Sequence, residues 1–227
     1  MRHTTLIVPG FHGSGPDHWQ SWLENEIPGA RRVRDIDWEA PVLARWAAAV
    51  RSEIDDAPSG VWIVAHSFGC LASVVAAADR PARVAGLLLV APAEPRRFSL
   101  IGQVDAHALA ASLDDALPGH PLPVASVVVA SRNDPWLAFE RAEALAERWG
   151  SRLLDAGEAG HINAESGYGP WPAALELLGA MQAAQQDLPL GSIEAAACRP
   201  RRGRMSTLAR IRHQTRFNLE LVKGGQP

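Results

Sequence analysis

The sequence predicts an α/β fold: a three-layer α/β/α sandwich around one mostly parallel sheet of about six strands. Two observations predict this fold class. Short runs rich in β-branched residues alternate with helical patterns along the chain, and the loops between them are short. Most of the runs are apolar throughout, which is typical of parallel strands covered on both faces. This alternation favours a doubly wound sheet with right-handed connections.

Each element is predicted from its residue pattern. Six runs are expected to form strands, at residues 4–8, 31–35, 61–65, 84–90, 124–130 and 151–155. Six helices are expected at residues 18–26, 41–55, 68–79, 106–113, 138–149 and 171–186. In the second helix, apolar residues recur at i, i+3, i+4 and i+7, so this face should pack on the sheet. These residues are Leu43, Trp46, Ala47 and Val50.

The charge of the chain changes near Gln186. The 227 residues carry a net charge of −3, but residues 188–227 hold eight basic side chains against two acidic ones, and the rest therefore carries −9. We predict one folded domain at residues 1–186 and a basic, partly disordered C-terminal extension at residues 187–227. The acidic domain is not expected to bind nucleic acid. The partner of the extension is unknown; an anchor for nucleic acid or a membrane surface is the alternative to a solvated tail.

No segment predicts export or membrane insertion. The N-terminal stretch lacks the apolar region of about 7–15 residues that a secretory signal needs. No apolar run reaches the roughly 20 residues that span a bilayer. We therefore expect a cytoplasmic location, and we expect Cys70 and Cys198 to be reduced thiols.

Ser67 stands where a buried strand changes directly into a helix, in the sequence AHSFG. A nucleophile elbow requires this context, because the sharp turn exposes the serine Oγ. The turn needs small residues two before and two after the serine, and Ala65 and Gly69 fill these positions. Ala65 stands where glycine is usual, and we expect its methyl group to be tolerated. The alternative role for Ser67 is that of an ordinary helix N-cap.

Two further polar residues follow later strands. Asp134 comes after the run 124–130, in the sequence SRNDPW, and His161 lies in a glycine-rich loop after the last strand. Taken singly, Asp134 could form a turn and His161 could be a solvated loop residue. Together with Ser67 they follow the chain order of a Ser-Asp-His triad. We therefore predict that His161 is the base for Ser67 and that Asp134 orients its imidazole.

The loop after the first strand, VPGFHGSGPDHW, is predicted to complete an oxyanion hole. Such a site needs two backbone N–H donors. One should be the amide of Phe68, the residue after the serine. The other should be the amide of Phe11, which directly follows Gly10, and His12 is the second candidate.

Other polar and aromatic residues near these motifs indicate a functional role less strongly than Ser67, Asp134 and His161 do. His12, His66 and Trp136 are candidates for lining a pocket, although packing is the alternative for Trp136 and a hydrogen-bonding role for His66. His12, Asp17 and His18 lack a third ligand at a regular spacing, so no metal is predicted.

Together the motifs resemble the YdeN-like, or retinoblastoma-binding-protein-9-like, family of small α/β-hydrolases. Four segments carry the resemblance, VPGFHGSGPDHWQSWL, WIVAHSFGCLAS, VASRNDPW and GHINAESGYGPWP, and it spans residues 5–178. The resemblance implies an α/β-hydrolase domain that lacks the usual first two strands and a large cap domain. It also implies Ser67 as nucleophile, Asp134 as acid and His161 as base.

The expected activity is that of a serine hydrolase. Its substrate would be a small ester, thioester or activated amide, cleaved through an acyl-serine intermediate without a cofactor. The alternative is a non-catalytic binding or regulatory protein that keeps the hydrolase fold, because a fold alone does not imply activity.

Overall fold

One parallel sheet organises the chain in the computed structural model, which describes residues 3–103 and 113–186. Its six strands have the order β2-β1-β3-β4-β7-β8, and all of its strand pairs are parallel. They are β1 (Thr4–Val8), β2 (Arg31–Arg32), β3 (Val61–His66), β4 (Val84–Val90), β7 (Ala125–Ala130) and β8 (Arg152–Asp155). A separate antiparallel hairpin is formed by β5 (Phe98–Ser99) and β6 (Gly102–Gln103). The predicted fold class is confirmed.

Within residues 3–103 and 113–186, five helices accompany the strands. They are α1 (Trp19–Glu26), α2 (Leu43–Asp56), α3 (Phe68–Asp79), α4 (Phe139–Trp149) and α5 (Pro172–Gln186). The predicted helix at residues 106–113 lies outside the described residues except for Leu113, which begins a short 3₁₀ turn, Leu113–Ala116. The contacts divide the chain into a unit Met1–Pro172, which holds the whole sheet, and a second unit that begins at Ala173. The predicted extension, residues 187–227, is not described, so the domain boundary at Gln186 stays a prediction.

Two expectations about strands differ from the structure. The second strand ends at Arg32 rather than at residue 35. Val33 N–H still donates to the Ile7 carbonyl at 3.0 Å, but Asp35 has a φ of +60°, which an extended strand does not allow. The β5–β6 hairpin was not predicted, because two-residue strands leave no alternating pattern in a sequence.

Alternate residues of the strands face a core that they share with α2, α3 and α4. The strand residues in this core are Leu6, Val8, Ile63, Ala65, Leu87, Leu89, Val128 and Ala130. The predicted apolar face of α2 lies in the same core through Leu43, Trp46 and Val50, so its sheet-facing role is confirmed. The opposite face of the sheet is covered by α1, since His66 in β3 points there and its ring contacts those of His18 and Trp19. The structure therefore has three layers.

The described residues of the segment between β4 and β7 hold the hairpin and two 3₁₀ turns, Pro95–Arg97 and Leu113–Ala116, and form no separate cap domain. None of the helices within residues 3–103 and 113–186 is long and apolar enough to cross a membrane. The parallel sheet brings the carboxyl ends of β1, β3, β7 and β8 to one edge. Every predicted site residue lies at the end of one of these strands or in the segment that directly follows it.

Candidate active site

Ser67 occupies a strained turn between β3 and α3. The strand ends at His66 and the helix begins at Phe68, so a single residue links the two elements. The Ser67 backbone has a φ of +52° and a ψ of −124°, a conformation that non-glycine residues rarely adopt and that clusters at functional sites. Its N–H donates to the Val90 carbonyl at 3.1 Å, which anchors the turn to the neighbouring strand.

The Ser67 hydroxyl does not cap the helix. The residue stands at the N-cap position of α3, but its side chain forms no hydrogen bond to the helix backbone. Instead, Ser67 Oγ lies 2.9 Å from Nε2 of His161. The side chain is therefore aimed out of the turn, towards the loop that follows β8.

His161 connects Ser67 to Asp134. Its Nδ1 lies 3.0 Å and 2.9 Å from the two carboxylate oxygens of Asp134. The side chains of His161 and Asp134 are only 9% and 3% exposed, so His161 is not a solvated loop residue. With the proton on Nδ1 donated to the carboxylate, Nε2 is free to accept the serine proton. The structure thus brings all three predicted residues together.

Asp134 also has the turn-forming role that its sequence suggested. Its Oδ1 accepts the N–H of Trp136 at 2.8 Å. The preceding residue, Asn133, accepts hydrogen bonds from the Gly160 N–H at 2.7 Å and from the Ser131 hydroxyl at 2.8 Å. The loop after β7 is therefore tied directly to the loop that carries the histidine, and this fixes the separation of acid and base.

His66 holds the backbone of His161. Its Nε2 lies 2.9 Å from the His161 carbonyl oxygen, and because a carbonyl can only accept, Nε2 is the donor. Burial lowers the pKa of His66 well below its usual value, and the neighbouring His161 and His18 lower it further. His66 is buried, and the hydrogen-bonding role describes it better than the lining of an open pocket.

His18 packs against His66 on the α1 side, with ring centroids 4.9 Å apart. Its Nδ1 accepts the N–H of Gln20 at 3.1 Å and so caps α1. Burial, followed by the charges of Arg32 and His161, lowers the pKa of His18 to about 4. Two neutral histidines therefore back the proposed base at neutral pH.

The loop after β1 approaches Ser67 very closely. A Cβ on Gly10 would lie 2.7 Å from Ser67 Cβ and 3.3 Å from Ser67 Oγ, so the Gly10–Phe11 peptide stands beside the hydroxyl. Neither the Phe11 nor the Phe68 amide donates to another described residue. The His12 amide, by contrast, donates to the Trp38 carbonyl at 2.9 Å. Of the two candidates in this loop, Phe11 therefore has the available N–H.

Gln20 is a residue that the motif analysis missed. It is fully buried in α1, and its Nε2 donates to the carbonyls of Val8 and Val64, each at 3.2 Å. Its Oε1 accepts the Ser14 hydroxyl at 2.7 Å, so Gln20 links the loop after β1 to β1 and β3. The signal in the sequence is a glutamine three residues before Leu23, on the buried face of α1.

The remaining candidates lie at the surface. The His12 side chain is 65% exposed and its Nδ1 lies 2.7 Å from Glu39 Oε2. Trp136 is 41% exposed, and its ring centroid lies 6.0 Å from that of His161. Trp136 therefore borders the triad rather than packing in the core. In the part of the chain that the structure describes, no three His, Cys, Asp or Glu side chains are grouped to hold a metal ion. Cys70 is a free, buried thiol, and Cys198 lies outside the described residues.

Comparison with known proteins points to the same chemistry. A family model described as serine hydrolase matches residues 5–180. The chain belongs to the serine hydrolase family. No curated protein matches this serine hydrolase.

Two solved structures support the resemblance of this chain to YdeN-like hydrolases. A protein of Pectobacterium atrosepticum described as a YdeN-like hydrolase is 38% identical, with a TM-score of 0.72 over 81% of this chain and 92% of that one. The ydeN gene product of B. subtilis is 19% identical, with a TM-score of 0.62 over 80% of this chain and 100% of that one. The predicted resemblance to small YdeN-like hydrolases is confirmed.

A more distant likeness shows the fold alone. Est1E of Butyrivibrio proteoclasticus, whose structure was solved with ferulic acid bound, is 17% identical. The match covers 82% of this chain and 87% of that one, with a TM-score of 0.55.

Proposed function

We propose that this serine hydrolase cleaves small ester, thioester or activated amide substrates through Ser67, His161 and Asp134. The observation that carries the proposal is the unbroken chain of short contacts from Ser67 Oγ to His161 Nε2 and from His161 Nδ1 to the Asp134 carboxylate. Serine is a weak nucleophile at neutral pH, and a neighbouring base is what activates it.

In the first half of the reaction, Ser67 Oγ attacks the carbonyl carbon and its proton passes to His161 Nε2. Asp134 stabilises the resulting imidazolium. The amides of Phe11 and Phe68 donate to the oxyanion of the tetrahedral intermediate. Removal of one such donor typically costs about 3 kcal/mol of barrier. His161 then protonates the leaving group, its bond to carbon breaks, and the acyl-serine remains.

In the second half, water attacks the acyl-serine and gives a proton to His161. The serine leaves, takes the proton back from His161, and the acid is released. This cycle needs no cofactor. The neutral His66 supports it, because an uncharged neighbour does not repel the imidazolium that forms on His161.

The test is intact-mass labelling with a fluorophosphonate probe. Wild type is expected to gain one adduct, and Ser67→Ala and His161→Ala none. His120→Ala, a change at an exposed histidine, is the matched control and should label like wild type. A panel of acyl esters would then follow. Absence of an adduct on folded wild type would contradict the proposal and favour the non-catalytic binding protein.

A further inference from the structure

An arginine lies on the exposed side of the proposed triad, one aromatic ring away from His161. The guanidinium carbon of Arg97 lies 4.9 Å from the centroid of the Trp136 ring, which itself lies 6.0 Å from the His161 ring. Arg97 Nη2 also donates to the Pro135 carbonyl at 3.0 Å. The contact with the ring and this hydrogen bond restrict the position of the guanidinium although the residue is exposed.

Arg97 differs from its neighbours because it has no carboxylate partner among the described residues. Arg96 pairs with Asp114 at 3.2 Å, and Arg141 pairs with Glu94 at 3.2 Å. The guanidinium that borders the site thus has no carboxylate partner within residues 3–103 and 113–186, unlike those of Arg96 and Arg141. An arginine with free N–H donors and a fixed plane is suited to a carboxylate, which it can bind through two parallel hydrogen bonds.

The position of Trp136 indicates which part of a substrate would meet Arg97. In the proposed cycle His161 protonates the leaving group, so the leaving group departs on the histidine side of Ser67. The Trp136 ring lies 6.0 Å from the His161 ring, and the Trp136 backbone N–H donates to Asp134 Oδ1 at 2.8 Å. Trp136 and Arg97 therefore lie beside the residue that protonates the leaving group in this cycle.

We propose that Arg97 and Trp136 form a carboxylate-binding subsite for the leaving group, so that the preferred substrates are esters of hydroxy acids. This inference rests on the proposed function for its orientation. Hydrolysis of such an ester breaks the acyl C–O bond, gives the proton from His161 to the departing oxygen, and releases a hydroxy acid that still carries its carboxylate. An aromatic hydroxy acid such as 4-hydroxybenzoate combines the charge with a ring that Trp136 can contact.

The first test measures binding without catalysis. 4-Hydroxybenzoate and its neutral counterpart 4-hydroxybenzamide are titrated into the full chain carrying Ser67→Ala, and Kd is followed by ligand-observed NMR. The carboxylate is expected to bind about fivefold tighter than the amide, as an exposed charge pair would give. The preference should shrink in 0.5 M salt, where exposed charges are screened over about 4–5 Å.

Three variants assign the preference to its residue. Arg97→Gln should abolish the preference, and Arg97→Lys should restore part of it, since the charge remains. Arg96→Gln is the matched control, a neighbouring exposed arginine that already has a carboxylate partner, and should keep the wild-type ratio. If Arg97 only braces the Asp134 loop through Pro135, Arg97→Gln weakens both ligands equally, and that result overturns the proposal. Equal or undetectable binding of the two ligands by the starting chain overturns it as well.

The second test compares hydrolysis of 4-acetoxybenzoate and 4-acetoxybenzamide by the wild-type chain and the Arg97 and Arg96 variants. The ratio of the two kcat/KM values is expected to fall about fivefold in Arg97→Gln and to stay constant in Arg96→Gln. Comparing this ratio between variants cancels the different intrinsic reactivities of the two esters. The two proposals can fail independently of each other. Absence of a fluorophosphonate adduct would contradict the proposed function. The NMR titration would still decide whether the site prefers a carboxylate.

Discussion

Gly10 sets how closely the loop after β1 approaches Ser67. No other residue type fits there, because any Cβ would stand 2.7 Å from Ser67 Cβ. The absence of a side chain therefore keeps the Gly10–Phe11 peptide beside the Ser67 hydroxyl. Gly15, in the same loop, has open space where a Cβ would point.

Gly10→Ala is expected to lower kcat/KM for an acyl ester by about a hundredfold, since small displacements in an active site have effects of this size. The stability of the fold should change little, because the loop can move outward. Gly15→Ala is the matched control and should retain wild-type activity. Comparable losses in both variants would show that flexibility of the loop, and not the approach to Ser67, is what matters.

The two small residues that flank the Ser67 turn, Ala65 and Gly69, differ in the space available for a side chain. A Cβ at Gly69 would collide with the carbonyl oxygens of Val8 and Pro9, so glycine is required there. Ala65 sits fully buried in β3 with its methyl group already accommodated. We expect Ala65→Gly to keep the fluorophosphonate labelling rate within a few-fold of wild type and to lose about 1 kcal/mol of stability, as glycine does within a strand. A large loss of labelling would mean that the methyl group positions the serine.

At the residue scale, the sequence alone predicted Ser67, Asp134 and His161 as one cluster, and the structure brings them together. Chain order and strand-end position suffice for this, because parallel strands collect their carboxyl ends at one edge. The role of His66 towards the His161 carbonyl was not predicted. Nothing in the order of residues shows that two segments 95 positions apart share a hydrogen bond.

At the scale of elements, the N-cap of α1 is a buried titratable residue, His18. His18 has a pKa of about 4 in the folded chain against 6.5 in its ordinary state. The unfolded chain therefore binds more protons between these two values, and stability falls as the pH drops from 6.5 towards 4. Above pH 6.5 both states are neutral at this residue and it contributes no pH dependence. At pH 5 the loss from His18 is on the order of 2 kcal/mol.

His18→Asn should flatten this acid dependence, because asparagine is a good N-cap but does not titrate. The urea midpoint of wild type is expected to fall between pH 7.5 and pH 5, and that of the variant to fall less. The depressed pKa of His66 acts in the same direction and remains in both chains. His120→Asn, at an exposed position, should behave like wild type. An unchanged slope in His18→Asn would disprove the burial argument.

Three elements with apolar runs have the boundaries that the sequence predicted, and most others differ by one or two residues. β1, β4 and α3 have the predicted bounds. The prediction was too long at β2, where the chain bends at Asp35, and it missed the β5–β6 hairpin. Both depend on backbone dihedral angles of single residues, which apolar periodicity does not report.

For the molecule as a whole, the chain ending at Gln186 is expected to label with the fluorophosphonate at the rate of the full chain. The family match ends at residue 180, and the proposed catalytic groups all lie at or before His161. If the basic extension is an anchor, salt-sensitive binding to anionic vesicles or nucleic acid should disappear in the shortened chain. Loss of labelling in a folded, shortened chain would instead assign the extension a part in the site.

The shortness of β2 has a consequence for how copies of this protein meet one another. β2 is an outer strand of the sheet, and an outer strand offers free backbone groups to any other chain that pairs with it. Here it is two residues long, and both are arginines, held by Glu53 at 2.8 Å and by Glu24 at 3.0 Å. A second copy could extend the sheet at this edge through only two residues, Arg31 and Arg32. Both carry a positive side chain that a carboxylate holds in place. The same bend that cut the strand short thus protects this edge against aggregation.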